Sequence, residues 1–412
     1  ILLWAAVLAA VARPTLGAEQ PQHAAGQPSY DVAVYVWPAY SDAPELRWAF
    51  PERMGEWERV RQARPKFPGH ELPGIPLWGY VNEADPYVME MQIRAAADHG
   101  IRIFIYDWYW YDGRPFLEQC LTQGFLKARN CGDVKFYLMW ANHDVKYAWD
   151  IRNSWDRTTV LYRGGVDRAE FERVARYVLT RYFTHPAYYR IGGRPVFSIY
   201  DLANLVRGLG GLKPAAAALA WFREEAVRAG LPGLHLQCIL RGSRFNLSGV
   251  DDTAATISQA EAIQALGFDS LTHYQFCHFL NVRNPLSNVV EMAEREWRNI
   301  ERTYGIPYFA HVSVGWDNNA RFVELQPAIM TSNGPPELAA ALRRARAWAD
   351  AHPGQPPLIT INAWNEWTEG SYLQPCTRHG YGYLQAVREA FGPDATSTSA
   401  VPARPPAPAA SP

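Results

Sequence analysis

Eight short apolar runs, rich in β-branched and aromatic residues, recur along the chain at 32–37, 102–107, 135–140, 195–200, 234–240, 270–275, 308–314 and 358–363. Runs of this length bounded by turn residues are strand candidates. Stretches of helical spacing lie between or after them, at 86–99, 115–128, 168–183, 213–229, 258–266, 287–304, 336–351 and 382–391. Helix starts are signalled by Asp85-Pro86, by Ser258 with Glu261 three residues on, and by Pro335-Pro336. Gly100, Gly230 and Gly305 follow helices at the position where a left-handed cap is wanted. Eight strands, each followed by a helix, is the count that closes a parallel barrel. A doubly wound sheet would show fewer strands and a glycine fingerprint after the first; Gly208-Leu209-Gly210-Gly211 does not complete one. The expected fold is therefore α/β, a single (β/α)8 TIM barrel with elaborated loops at its C-terminal face. Residues 38–83, rich in Trp, Pro and Gly, form the longest of these loops.

The ends of the chain have a different composition. Residues 1–12 are an apolar run too short to span a bilayer, with small residues at Gly17 and Ala18. Residues 1–18 are expected to be a signal peptide with a truncated start. The mature protein is then exported, periplasmic or extracellular, with no membrane span. Residues 30–392 are expected to be the catalytic domain, and residues 393–412, rich in Pro and Ala, a disordered tail. Five cysteines without CxxC spacing argue against a zinc ribbon. In an exported protein Cys120 and Cys131 would close a small loop; isolated buried thiols fit equally. Asn246-Leu247-Ser248 is a glycosylation sequon, informative only in a eukaryotic source.

Chemistry in a (β/α)8 barrel sits at the C-terminal strand ends. Here those positions carry Trp37; Asp107, Trp108 and Tyr109; Trp140, Asn142 and His143; Asp201; Tyr274; Trp316; and Asn365 with Trp367. Rings suit the C–H faces of sugars, and carboxylates and amides suit their hydroxyls. These residues are the expected substrate-binding set for an oligo- or polysaccharide. A net charge of −1 and few cations among them argue against nucleic acid and phosphorylated ligands. Asp107 and Asp201 are expected to bind hydroxyls or anchor loops. His143 and His273 lack an HxH or HxxxH partner, so neither a metal nor another cofactor is expected.

Glu366 and Glu369, just beyond the eighth run, are the expected catalytic pair. Three residues apart, they share a face if that segment is helical. Glycoside cleavage needs one protonated and one ionised carboxyl, and mutual repulsion raises one pKa into the acid range. The same spacing also suits a solvated helix start favoured by the helix dipole. Asn365 and the indoles of Trp364 and Trp367 favour the pair, since a hydrated turn has no need of two indoles.

The segment Ile361-Asn362-Ala363-Trp364-Asn365-Glu366-Trp367-Thr368-Glu369-Gly370, followed by residues 380–392, resembles the signature of glycoside hydrolase family 99-like proteins, a group overlapping the WbsX-type domain. Residues 65–70, 106–113, Trp140-Ala141-Asn142 and Gly193-Arg194-Pro195-Val196 are similar to the same group. The resemblance implies a (β/α)8 barrel and, for characterised members, endo-acting cleavage of α-mannosidic bonds with retention. It further implies that Glu366 acts as base on the substrate 2-hydroxyl, giving a 1,2-anhydro sugar, and that Glu369 protonates the departing oxygen. Thr368 stands where the family usually has His, and Gln374 where an acid is common, which bears on the mannan substrate and leaves the acids intact. Two other functions compete. A WbsX-type glycosyltransferase would need a diphosphate site, and the adjacent pair Asp251-Asp252 has nothing basic beside it. A non-catalytic carbohydrate-binding barrel would keep the rings without turnover.

Overall fold

The structure is a computed structural model in which residues 30–241 and 258–392 are described. The expected signal peptide, the tail, the sequon and Asp251-Asp252 lie outside those residues. All eight expected strands are present: β1 (Asp31–Val36), β2 (Ile103–Tyr111), β3 (Lys135–Trp140), β4 (Arg194–Ile199), β5 (His235–Leu240), β6 (Ser270–His273), β7 (His311–Ser313) and β8 (Leu358–Asn362). They pair in parallel in the order β6-β5-β4-β3-β2-β1-β8-β7. The ring closes between β6 and β7 through one parallel bridge, Leu271 with Tyr308. There the Leu271 amide donates to the Pro307 carbonyl at 2.8 Å and the Phe309 amide to the Leu271 carbonyl at 2.9 Å. The fold is a (β/α)8 barrel.

Seven of the eight expected helices form: α1 (Pro86–Asp98), α2 (Arg168–Arg181), α3 (Leu212–Arg228), α4 (Gln259–Leu266), α5 (Leu286–Tyr304), α6 (Pro335–Asp350) and α7 (Gly382–Phe391). The α4 start is the expected capping box of Ser258 and Glu261. The helix expected at 115–128 does not form. There β2 continues past Asp107 and folds back on a short strand, Arg114–Phe116. A wide π-turn (Cys120–Gly124) and a 3-10 turn (Phe125–Lys127) follow. Close packing under the loop at 38–83 explains this: a Cβ on Gly124 would stand 2.1 Å from the Glu83 carbonyl oxygen, and the Cys120 thiol donates to the Pro38 carbonyl at 3.2 Å. All five cysteines are free. Among the described residues no helix is long and apolar enough to cross a membrane.

Strand pleating sets which residues reach the barrel interior, because successive side chains alternate faces. On β2, Asp107 and Tyr109 face the barrel mouth, whereas Trp108 and Trp110 face the outer helices and meet Tyr177 of α2. On β3, Met139 faces inward and Trp140 packs outward against Phe171.

Candidate active site

After β8 the chain makes a small hairpin instead of the expected helix turn. Asn365-Glu366 pairs antiparallel with Ser371-Tyr372 around a 3-10 turn at Trp367–Glu369. Gly370, at φ 63°, closes the turn in the left-handed region that glycine tolerates. The Asn365 amide pins the hairpin to β1: its oxygen accepts from the Trp37 amide and its nitrogen donates to the Trp37 carbonyl, both at 2.8 Å. Trp367 stacks on Tyr372 with ring centroids 3.7 Å apart. The hairpin presents Glu366 and Glu369, both buried, into the barrel mouth.

One cation gathers the carboxylates. Arg321, on a 3-10 turn after β7, donates Nη2 to Glu366 Oε2 at 3.0 Å and Nε to Glu56 Oε1 at 3.0 Å, and Nη1 meets Glu369 Oε1. Glu56, from the long loop after β1, also accepts from the Thr368 hydroxyl at 2.6 Å and from the Trp37 indole. On the other flank Tyr274 lies 2.9 Å from Glu366 Oε1 and 2.8 Å from Asp107 Oδ2. A phenol has one proton to give, so both contacts are satisfied when one carboxyl is itself protonated. Burial pushes both Asp107 and Glu366 well above the usual carboxylate range, so either can hold that proton. When Asp107 holds it, Tyr274 donates to an ionised Glu366, which Arg321 also supports.

Burial raises the pKa of both members of the pair. Glu366 is raised further by the neighbouring Glu369 charge, while Arg321 pulls both down. Glu369 Oε2 is buried without a hydrogen-bond partner, as is Asp107 Oδ1. With Glu366 ionised, Glu369 has a bare oxygen from which to give a proton.

These groups line a cavity of about 410 Å³. Its aromatic walls are Trp37, Tyr109, Trp149, Tyr200, Tyr274 and Phe322, with His143 and His278 between them. Burial lowers both histidines, His278 to about 3, so they are neutral donors and acceptors at ordinary pH. Of the sequence-derived candidates, Trp37, Asp107, Tyr109, His143, Tyr274, Glu366 and Glu369 meet here.

The other seven candidates lie elsewhere. Trp108 and Trp140 point outward by pleat alternation, Trp108 donating to Glu118 at 3.0 Å. Asn142 holds the backbone of Asp201 at 2.7 and 2.8 Å. Asp201 caps a short helix at the Asn204 amide and pairs with Arg241 at 2.8 Å. Asn365 and Trp367 brace the hairpin from behind. Trp316 lines a neighbouring cavity with Phe67 and His70. Sequence reasoning missed the charged groups Glu56, Arg59, Lys146, Arg157 and Arg321 and the rings of Trp149, His278 and Phe322, all on segments outside the barrel strands that fold back over the mouth. Among the described residues no group of three or more His, Cys, Asp or Glu is arranged to hold a metal ion.

Comparison with known proteins places this arrangement in context. Residues 32–387 match the family model described as glycosyltransferase WbsX. A Xanthomonas campestris pv. campestris protein described as uncharacterized protein WxcX is 28% identical over 374 residues, which is 88% of this chain and 50% of that protein. The chain thus spans about half the length of this curated relative. Among solved structures, the GH99 endo-alpha-mannosidase of Bacteroides thetaiotaomicron superposes with a TM-score of 0.56 at 13% identity, covering 88% of this chain and 95% of the other. A protein described as glycoside hydrolase-like gives 0.54 at 14% identity, covering 91% and 97%. At such identities the likeness concerns the fold.

Proposed function

The chain belongs to the WbsX family, and from that premise we propose that it is a glycoside hydrolase cleaving α-linked glycans with retention, Glu366 serving as base and Glu369 as general acid. In the first step Glu366 takes the proton of the 2-hydroxyl, the 2-oxygen closes on C1, and the C1–O bond to the leaving sugar breaks as Glu369 protonates the departing oxygen. Water then opens the 1,2-anhydro sugar at C1 and gives its proton to Glu369, while Glu366 returns the proton to O2. Two inversions at C1 amount to retention, with no carboxylate becoming a covalent nucleophile.

The observation that carries this reading is the meeting of two buried acids at the floor of an aromatic cavity, with Glu369 Oε2 unpartnered. Support from Tyr274 and Arg321 favours the ionised form of Glu366, as a base requires. Residues 30–392 would form the catalytic domain. Export to the periplasm or exterior is part of the same proposal and rests on residues 1–18; a mature N-terminus found elsewhere than after Ala18 would remove that part.

Kinetics test the roles. Glu369→Gln is expected to slow cleavage of natural glycans by roughly 10²–10⁴-fold, the usual worth of general acid catalysis, and that of substrates with activated leaving groups far less. Equal losses would refute the role. A 2-deoxy substrate should not turn over, and efficient turnover would eliminate the anhydro route while leaving hydrolysis standing. The family's description also favours transfer: a sugar hydroxyl replacing water in the second step would give a longer glycan, detected by product analysis with acceptor glycans present.

A further inference from the structure

The cavity has two electrical halves. Its floor holds four carboxyls, Glu56, Asp107, Glu366 and Glu369, around Arg321. Part of its wall comes from the loop after β3, where Lys146 and Arg157 line the same cavity beside Asp144, a carboxylate whose Oδ1 accepts from the Gly164 amide at 2.8 Å. Arg59, the remaining lining cation, is spent on Asp150 at 3.4 Å. Neither Lys146 nor Arg157 forms an ion pair or hydrogen bond with a side chain of the described residues. The one recorded side-chain contact of Arg157 is its guanidinium lying over the Phe322 ring, 4.7 Å from the centroid. That contact leaves its N–H groups free to meet a ligand. The same loop carries Trp155, an indole 76% exposed.

Two exposed cations without a carboxylate partner among the described residues favour a negatively charged group on the sugar over a neutral one. An anion would be repelled from the carboxylate floor but welcomed at this wall. A guanidinium lying over an aromatic ring with its N–H groups free is suited to grip a carboxylate by two hydrogen bonds.

We infer that the natural substrate is an acidic glycan, whose anionic sugar substituent is seated by Arg157 and Lys146 on the wall away from the two acids, with Trp155 as a platform for the chain beyond. This deepens the hydrolase reading and rests on it for the position of the scissile bond. The seat reads a charge on the sugar itself, as in a uronic acid or a sulfate ester.

Binding rather than turnover tests it. Full-length protein with Glu369→Gln, which silences cleavage under the proposed roles, is titrated calorimetrically with a panel of uronic-acid-containing oligosaccharides, each alongside its carboxyl-reduced form, and with sulfated neutral oligosaccharides. The acidic member of at least one pair is expected to bind about tenfold tighter or more, as a charge-assisted bidentate contact implies. Added salt should weaken that member selectively. Arg157→Gln with Lys146→Gln, both exposed positions, should erase the preference, bringing the acidic form's affinity down to that of its reduced form. A preference for sulfated over uronate sugars would assign the seat to sulfate esters. No acidic preference in any pair, or a preference that survives the double substitution, overturns the inference. Neutral glycans cleaved by the unmodified protein without acidic preference would sink this inference and spare hydrolysis; tight acidic binding without cleavage would do the reverse.

Discussion

Arg321 is the residue on which the site's electrostatics turn. Three carboxylates share its guanidinium, and its charge holds down the pKa of Glu366 and Glu369 against the upward push of burial. With Arg321→Met both pKa values should climb further. A base works only when ionised, so the acid limb of the kcat/KM profile, governed by Glu366, should move to higher pH by about one unit or more. Arg321→Lys keeps the charge but loses the fork, and is expected to restore the limb's position but not the full rate. A pH–rate series on the three proteins checks this; an unmoved limb in Arg321→Met would mean that Arg321 does not touch the chemistry. Glu366 and Glu369 were legible in the sequence because a contiguous stretch of residues carries them next to a strand. Arg321 and Glu56 were not, because each lies on a loop without periodicity and is brought to the acids only by tertiary folding. An inventory of charged groups confined to strand ends passes over both.

At the level of elements, the alternating runs announced all eight strands, since buried parallel strands are nearly continuous in apolar residues. The expected helix at 115–128 failed where packing against another loop overrode local spacing. The substrate-binding set was too broad for a simpler reason. Period-two pleating splits Asp107 and Tyr109 from Trp108; the expected run at 102–107 stops one residue short of Trp108, and carrying the alternation one residue further removes it. Glu56 is held by a tight loop whose hinge is Gly55, at φ 62°, where an added Cβ would lie 2.0 Å from the Ala39 carbonyl oxygen. Gly55→Ala is therefore expected to destabilise the protein by about 3 kcal/mol and to lower activity by displacing Glu56. Gly132→Ala, with nothing within 4 Å of the new methyl, is the matched control and should change neither. Denaturant midpoints and turnover rates for the two variants decide the matter.

For the whole molecule, buried titratable groups pull stability in opposite directions. His143, His273, His278 and His311 are held neutral by burial, with His273 and His278 lowered to about 3. Their contribution is complete above pH 6.5 and is lost as pH falls toward about 3. Asp107, Glu366, Glu369 and Glu83 are raised by burial, Glu83 to about 7, so their contribution is complete below the ordinary carboxylate range and is lost as pH rises through the raised values. Between pH 4.5 and 6.5, the ordinary carboxyl and imidazole values, the two slopes oppose each other. Thermal melts from pH 3 to 9 should accordingly show a broad plateau in that window and a falling Tm on either side, and Glu83→Gln should soften the alkaline fall. A Tm still climbing at pH 8 would contradict this account.

The join between β6 and β7, a lone bridge where the other neighbours are laddered, lies directly between the two supports of Glu366: Tyr274 follows one strand and Arg321 the other. Warmth that loosens this stave of the cask pulls phenol and guanidinium apart and unbalances the acids while the remaining pairings stand. A molecule so built falls silent before it melts, and its heat-inactivation midpoint belongs below its unfolding midpoint.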